Sequence, residues 1–171
     1  DGRETGGALA AAVTAGLESA GADVERAGLV PTPALAFASQ GRRGIAITAS
    51  HNPPPDNGLK LFVDGEEYDR EAERRIEERV DAGERQAAWD AWGETARADP
   101  LPAYREAVAG FASDHGADPD GLVVAVDCGN GMASLATPQV LTTLGADVRA
   151  LNANVDGHFP ARESKPTPES L

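Results

Sequence analysis

Residues 44–62 constrain this chain more than any other stretch. Two short apolar runs, Gly44-Ile45-Ala46-Ile47 and Leu59-Lys60-Leu61-Phe62, bracket the segment Thr48-Ala49-Ser50-His51-Asn52-Pro53-Pro54-Pro55-Asp56-Asn57-Gly58. Each run has the length of a strand. Three consecutive prolines fix three φ angles and remove three N–H donors, which stiffens the loop that contains them. Asn57-Gly58 reads as a tight turn that needs positive φ. A rigid loop presenting the hydroxyl of Ser50 and the imidazole of His51 at a strand end is suited to holding a nucleophile. On spacing alone, an ordinary stiff loop explains the same residues. No third group that would orient the imidazole is visible. The pattern Gly-x-Ser-x-Gly is also absent, because Ser50 stands between Ala49 and His51.

Around this loop the sequence predicts alternating helices and strands. Leu9, Val13 and Leu17 recur every fourth residue in an alanine-rich run, giving a helix from Glu4 or Thr5 to about Ala20, stopped by Gly21. A strand over 22–28 follows, then a short helix that starts at Pro31-Thr32-Pro33 and runs to Ser39. Strands over 44–49 and 59–63 flank the serine loop, and Asp64-Gly65 is a turn. This alternation argues for an α/β layer architecture with a largely parallel sheet, in which ligands sit at the carboxyl ends of strands. Ser50 directly follows a strand.

The middle of the chain is highly charged. Arg70 to Val80 reads as a helix with Ile76 and Val80 on one face and solvated i,i+4 pairs on the other. Trp89 and Trp92, three apart, are expected to share a helix face as packing residues. A further helix is predicted over 100–115, with Tyr104, Val108 and Phe111 facing inward and His115 as a cation near its C-terminus.

Leu122 to Val126 is a β-branched run that reads as a buried strand. A turn, Asp127-Cys128-Gly129-Asn130-Gly131, leads from it to a helix ending at Leu144, and a strand follows over 146–151. Gly129 and Gly131 at that helix start are candidates for a phosphate cradle. The dinucleotide fingerprint fails because position 134 is serine, and a tight strand-to-helix turn is the preferred reading. Residues beyond Asn152 read as polar loop.

Charge and cysteine content exclude several classes. The net charge is −13, which argues against a basic nucleic-acid-binding face. No apolar run approaches membrane-spanning length. Cys128 is the only cysteine, so no disulfide forms within the chain, and a reducing, cytoplasmic compartment is expected. The 15 basic residues are 13 Arg and 2 Lys, namely Lys60 and Lys165. An acidic surface with scarce lysine suits a salt-rich cytoplasm, where screening reduces self-repulsion, and a GC-rich genome alone would also favour Ala, Gly and Arg.

Thr48-Ala49-Ser50-His51-Asn52-Pro53, followed by Asn57-Gly58-Leu59-Lys60, resembles the active-site loop of the α-D-phosphohexomutase family, the phosphoglucomutases, phosphomannomutases and phosphoglucosamine mutases. The resemblance continues in order along the chain. Asp1-Gly2-Arg3 is similar to the end of an arginine motif near the start of the family's first domain, and Val30-Pro31-Thr32-Pro33 to the segment before the serine strand. Val126 to Gly131 resembles the first strand and turn of the second domain, and Phe159-Pro160 through Pro166-Thr167-Pro168-Glu169 the loop after it. The resemblance implies layered phosphohexomutase-type α/β domains with mixed, largely parallel sheets. It divides the chain into residues 1–115, most of a first domain with the serine loop and a linker helix, and residues 116–171, the start of a second. It further implies an internal fragment of a four-domain enzyme. The family's aspartate-rich metal loop, sugar-recognition loop and phosphate-binding loop are then expected outside these residues.

The implied chemistry is the interconversion of hexose 1-phosphate and hexose 6-phosphate. Ser50 carries a phosphoryl group, gives it to a sugar hydroxyl, and takes the other phosphoryl back from the sugar bisphosphate intermediate. By the same resemblance His51 supports the phosphoserine, Lys60 is the general base, and Arg3 and Asn52 belong to the substrate and phosphate site. Mg²⁺ is expected against the phosphoryl group of Ser50. An amine at position 60 can titrate where arginine cannot. An anionic sugar phosphate on an acidic protein requires a locally positive cleft, which Arg3 and Lys60 would help supply. The alternatives are a phosphoglucosamine mutase, a sugar-phosphate phosphatase and a non-catalytic homologue. The sugar and the oligomeric state are not readable from these residues.

Overall fold

The computed structural model describes residues 1–83 and 86–168. Helix α1 spans Gly6–Ser19 and ends in a glycine cap. Gly21, at φ +85°, donates to the Glu18 carbonyl, and Ala22 donates to Leu17, so a left-handed residue closes the last turn. Strand β1 (Val24–Arg26) and helix α2 (Thr32–Ala38) follow, α2 opening with proline in its first turn as the sequence predicts.

Strand β2 (Arg43–Ile47) and strand β3 (Leu59–Val63) pair antiparallel, with Ile45 opposite Leu61 and Ala46 opposite Lys60. Thr48 N donates to Gly58 O at 3.0 Å and extends this ladder by one rung. The serine loop is therefore the connection of a long hairpin, closed at its base by strand pairing. Strand β4 (Glu66–Glu67) adds a short third strand beyond the Asp64-Gly65 turn. Gly44 sits where the end of α2 meets β2: a Cβ there would come 3.0 Å from the Ser39 Cβ, so a larger residue would push the two apart by a few tenths of an ångström.

Helix α3 (Arg70–Asp81) is capped by Asp69, whose carboxylate accepts from Ala72 N at 2.8 Å. Strand β5 (Thr95–Arg97) pairs parallel with β1, and helix α4 (Leu101–Asp114) leads to a βαβ unit. In that unit strand β6 (Val123–Asp127) and strand β7 (Asp147–Leu151) pair parallel, joined through a 3₁₀ turn at Met132–Leu135 and helix α5 (Thr137–Thr143). The fold is mixed α/β, with two two-stranded parallel sheets and one three-stranded antiparallel sheet among the described residues. A hollow of about 1280 Å³ separates β1 from β2, lined by Val13, Leu17, Val24, Leu35, Ile47 and Phe62 among others. No helix among the described residues is long and apolar enough to cross a membrane.

Several expectations are corrected. Trp89 and Trp92 lie in no helix and are 89% and 52% exposed. Ala87 N bonds to Ser19 O and Gly93 N to Glu18 O, so this segment spends its backbone donors on the end of α1 rather than on an i→i−4 ladder. Phe111 points outward, 65% exposed, and stacks on the His115 ring with centroids 4.0 Å apart. Val80, on the predicted inner face of α3, is also exposed. Strand β6 forms as predicted but is half-buried rather than buried. Val124 and Val126 face inward while Leu122 and Val123 are exposed, because a two-stranded ladder gives β6 one partner. The helix predicted to run to Leu144 breaks at Ala136, since Pro138 cannot donate to the preceding turn.

The Asn57-Gly58 turn is a further correction. Neither residue adopts positive φ. The chain instead reverses at Pro53–Asp56, where Asp56 N donates to Pro53 O at 3.1 Å and Pro54 and Pro55 occupy the middle positions. Gly58 instead sits close across the hairpin: a Cβ there would stand a tight 3.2 Å from the Thr48 carbonyl. Of the stretch of resemblance that ends at Glu169, that residue lies outside the described residues.

Candidate functional site

Strand β2 delivers Ser50 to the head of the hairpin in a left-handed conformation, φ +56°. An L-residue with a Cβ occupies this region at a cost, and such outliers persist where the surroundings over-determine them. The surroundings here can be named. Ser50 N donates to the hydroxyl of Thr48 at 3.0 Å, and that buried hydroxyl donates onward to Asp1 Oδ2 at 2.7 Å. From the other side, Arg3 Nη2 donates to the Ser50 carbonyl at 3.1 Å.

Arg3 is the hub of the loop. It is 3% exposed, and its guanidinium is ringed by main-chain oxygens. Nη1 donates to Pro53 O at 2.6 Å, Pro54 O at 3.3 Å and Asp56 O at 3.0 Å, while Nη2 also donates to Asn52 O at 2.8 Å. Nε takes the carboxylate of Asp1 at 3.1 Å. A proline-rich loop has surplus carbonyls because its prolines have no donors to pair with them. A buried guanidinium with a fork of N–H groups satisfies them together. Burial pulls the Arg3 pKa below the usual arginine value, and the charge of Asp56 opposes that shift.

His51 is exposed, and its Nδ1 lies 3.3 Å from Ser50 Oγ. The hydroxyl and the ring nitrogen can share one proton, its direction set by the tautomer. Asn52 acts through its backbone: its N–H donates to Ala49 O at 3.0 Å and its carbonyl accepts from Arg3. Ser50, His51, Asn52 and Arg3 thus form one constellation. Lys60 stands on β3, and its Nζ lies 2.7 and 3.0 Å from the two carboxylate oxygens of Glu67 on β4. Its ammonium is engaged by Glu67 rather than by the serine loop.

Two members of the constellation had no role assigned from sequence. Thr48 lies two residues before the serine, a spacing at which a hydroxyl commonly accepts a following N–H. Asp1 carried no local signal, since its partners Thr48 and Arg3 gather only when the hairpin folds over the start of the chain.

Ser50 thus stands at a strand end on a buttressed loop, with an imidazole nitrogen 3.3 Å from its hydroxyl. Comparison with known proteins decides its lineage. The phosphoglucomutase/phosphomannomutase alpha/beta/alpha domain I family model matches residues 1–87, and that of domain II matches residues 88–171. The chain belongs to the phosphoglucomutase/phosphomannomutase family. It is 44% identical over 168 residues to a probable phosphoglucosamine mutase of Methanopyrus kandleri, covering 96% of this chain and 37% of that protein. A phosphopentomutase of Thermococcus kodakarensis is 42% identical over 175 residues, covering 100% of this chain and 38% of that protein. The crystal structure of a phosphoglucomutase/phosphomannomutase family protein from Burkholderia thailandensis superimposes with a TM-score of 0.75 at 33% identity, over 93% of this chain and 36% of that one. The chain spans between 36% and 38% of the length of these three relatives.

Proposed function

We propose that the protein carrying this chain is a phosphosugar mutase that passes a phosphoryl group through Ser50. The observation that carries the reading is the Ser50 hydroxyl, presented at the end of β2 on a left-handed peptide held by Thr48 and Arg3, with His51 Nδ1 3.3 Å away. The names of the relatives support phosphosugar mutase chemistry.

In this reading the phosphorylated Ser50 meets a sugar monophosphate. The Oγ–P bond breaks as a sugar hydroxyl oxygen bonds to phosphorus; that hydroxyl gives its proton to a base, and the leaving Ser50 Oγ takes up a proton. The products are a sugar bisphosphate and the free serine. The second half runs in reverse with the other phosphate, so the net change is the position of one phosphoryl group. Catalysis of such a transfer is positioning and charge stabilisation. Arg3 contributes positioning: its N–H groups are directed at loop carbonyls, which keeps the serine aimed. His51 holds the hydroxyl proton when Ser50 is unphosphorylated. Lys60 is the proposed proton acceptor, and its side chain must leave Glu67 to reach the sugar hydroxyl.

The sugar stays open between hexose and pentose phosphates. The relatives' names include a glucosamine phosphate mutase, a glucose and mannose phosphate mutase and a pentose phosphate mutase. Magnesium is a proposal for the whole protein. Among the described residues no group of three or more His, Cys, Asp or Glu side chains gathers into a ligand set. The phosphoryl oxygens on Ser50 are the proposed contribution of these residues to its site. A cytoplasmic setting is proposed on the single reduced cysteine.

The test is to map phosphate on the complete protein as purified and to assay glucose, mannose, glucosamine and pentose 1-phosphates. A phosphopeptide at Ser50 and loss of turnover in Ser50→Ala are expected. Stoichiometric release of inorganic phosphate would replace the mutase with a phosphatase.

A further inference from the structure

The Asp127–Gly131 turn, a candidate phosphate cradle by sequence, faces the protein's own chain. Gly129, at φ +52°, lies against the guanidinium of Arg162. Asn130 is buried at φ +58°, and every polar group it has is spent on the segment after β7. Its Nδ2 donates to Asn154 O and Oδ1, its Oδ1 accepts from Ala161 N at 3.1 Å, and its carbonyl accepts from Asp156 N at 3.0 Å. Asp127 holds Arg162, with Nε 3.4 Å from Oδ2. The turn therefore shapes residues 154–162 into a fixed loop.

That loop is directed at the serine loop. Gly157 packs against the backbone of Gly2 and Arg3: a Cβ on it would come 2.8 Å from the Arg3 Cα. The Phe159 ring stands over the Arg3 guanidinium, 5.5 Å from its centroid. At the far end, Ser164 Oγ lies 2.9 Å from His51 O and 2.8 Å from Asn52 O. The Asn52 carbonyl is consequently held twice, by Arg3 from the first segment and by Ser164 from the second.

We propose that Ser164 is a positioning residue for phosphoryl transfer: its hydroxyl fixes the His51-Asn52 peptide and so sets the His51 ring against the Ser50 hydroxyl. Ser164 lies 114 positions after Ser50 and touches neither the nucleophile nor the imidazole. It acts on the peptide that carries the imidazole, where a small rotation moves Nδ1 out of the 3.3 Å contact. The contact also makes the nucleophile's geometry depend on the βαβ unit, so the first segment alone does not complete its own site.

This inference rests on Ser50 as the phosphoryl carrier, and the test separates the two. Ser164→Ala and Ser164→Thr are made in the complete protein and assayed with the sugar 1-phosphate that the wild type turns over fastest, in the presence of the matching bisphosphate. Ser164→Ala should lower kcat by about five- to tenfold, the order of one lost hydrogen bond, with KM within about twofold and thermal unfolding unchanged. Ser164→Thr, which keeps the hydroxyl, should restore kcat. Phosphate mapping on the wild type reports on Ser50 independently: no phosphopeptide there overturns the carrier reading. With Ser50 phosphorylated, a Ser164→Ala kcat within about 1.5-fold of wild type, or a loss that threonine fails to restore, overturns the assignment of Ser164 alone.

Discussion

Arg3 Nη2 stands 3.1 Å from the carbonyl of Ser50, so the most buried cation among the described residues holds the peptide of the proposed nucleophile from beneath rather than reaching over it. The same guanidinium takes four further loop carbonyls. Arg3→Met would leave those oxygens facing a buried, donor-free wall. The expected loss is about 2–4 kcal/mol of stability, read by chemical denaturation, together with a collapse of turnover. Arg3→Lys has three donors in place of five and should recover part of each. Wild-type stability in Arg3→Met would show that the loop holds its shape without the guanidinium.

Ser50→Ala removes the only proposed acceptor of the phosphoryl group. Turnover should fall by at least about a thousandfold, because the other hydroxyl of the loop, that of Thr48, is buried and donates to Asp1. Stability should change little, since Ala49 and His51 stay in place. The measurement is mutase turnover beside intact mass, and ordinary turnover in the variant rejects the carrier role.

Lys60 and Glu67 form a partly exposed pair, with side chains 35% and 46% exposed. Such a pair is worth little to folding. Lys60→Arg keeps the charge and the partner but loses the titratable amine, so turnover should drop about tenfold or more at an unchanged melting temperature. Near-normal turnover would restrict Lys60 to electrostatics.

Asp127 accepts from the Asn152 side chain at 3.0 Å, from Gly129 N at 2.9 Å and from Arg162. These bonds, that of Asn152 first, hold its pKa below the ordinary carboxylate value. The unfolded chain therefore binds more protons than the folded one in this range. The contribution is complete above the unfolded value of about 3.9 and is lost as pH falls through the lower folded value. Melting temperatures measured from about pH 5 down to about pH 3 should fall, and Asp127→Asn should flatten the fall. An equal slope in that variant would move the titration to other carboxylates.

The 171-residue chain by itself is expected to be inert and to lack tight magnesium binding, since octahedral oxygen coordination needs carboxylates that the described residues do not gather. Calorimetric titration of the chain with Mg²⁺ beside the complete protein checks this. Micromolar binding with measurable turnover would place the metal site among these residues.

The sequence by itself determined the local elements and the identity of the loop. Periodicity placed α1 and α3, proline in the first turn placed α2, a β-branched run placed β6, and three prolines between two apolar runs placed β2 and β3 and marked the serine loop as stiff. These are short-range properties, in which each residue's own φ preference or a neighbour within four positions decides the outcome. The tertiary structure alone decided what faces what. It exposed Trp89, Trp92 and Phe111, which hydropathy places inside, because their segments bond backbone to α1 or stack locally. It moved the positive φ from the predicted Asn57-Gly58 turn to Ser50, because the hairpin ladder runs through Gly58 and the bonds from Thr48 and Arg3 hold the serine peptide. It assigned Arg3 to the loop carbonyls, Lys60 to Glu67, and Ser164 to a peptide more than a hundred positions earlier. A hydrogen bond between residues so far apart leaves no periodicity in the sequence, since its partners share nothing until chain folding closes the distance between them.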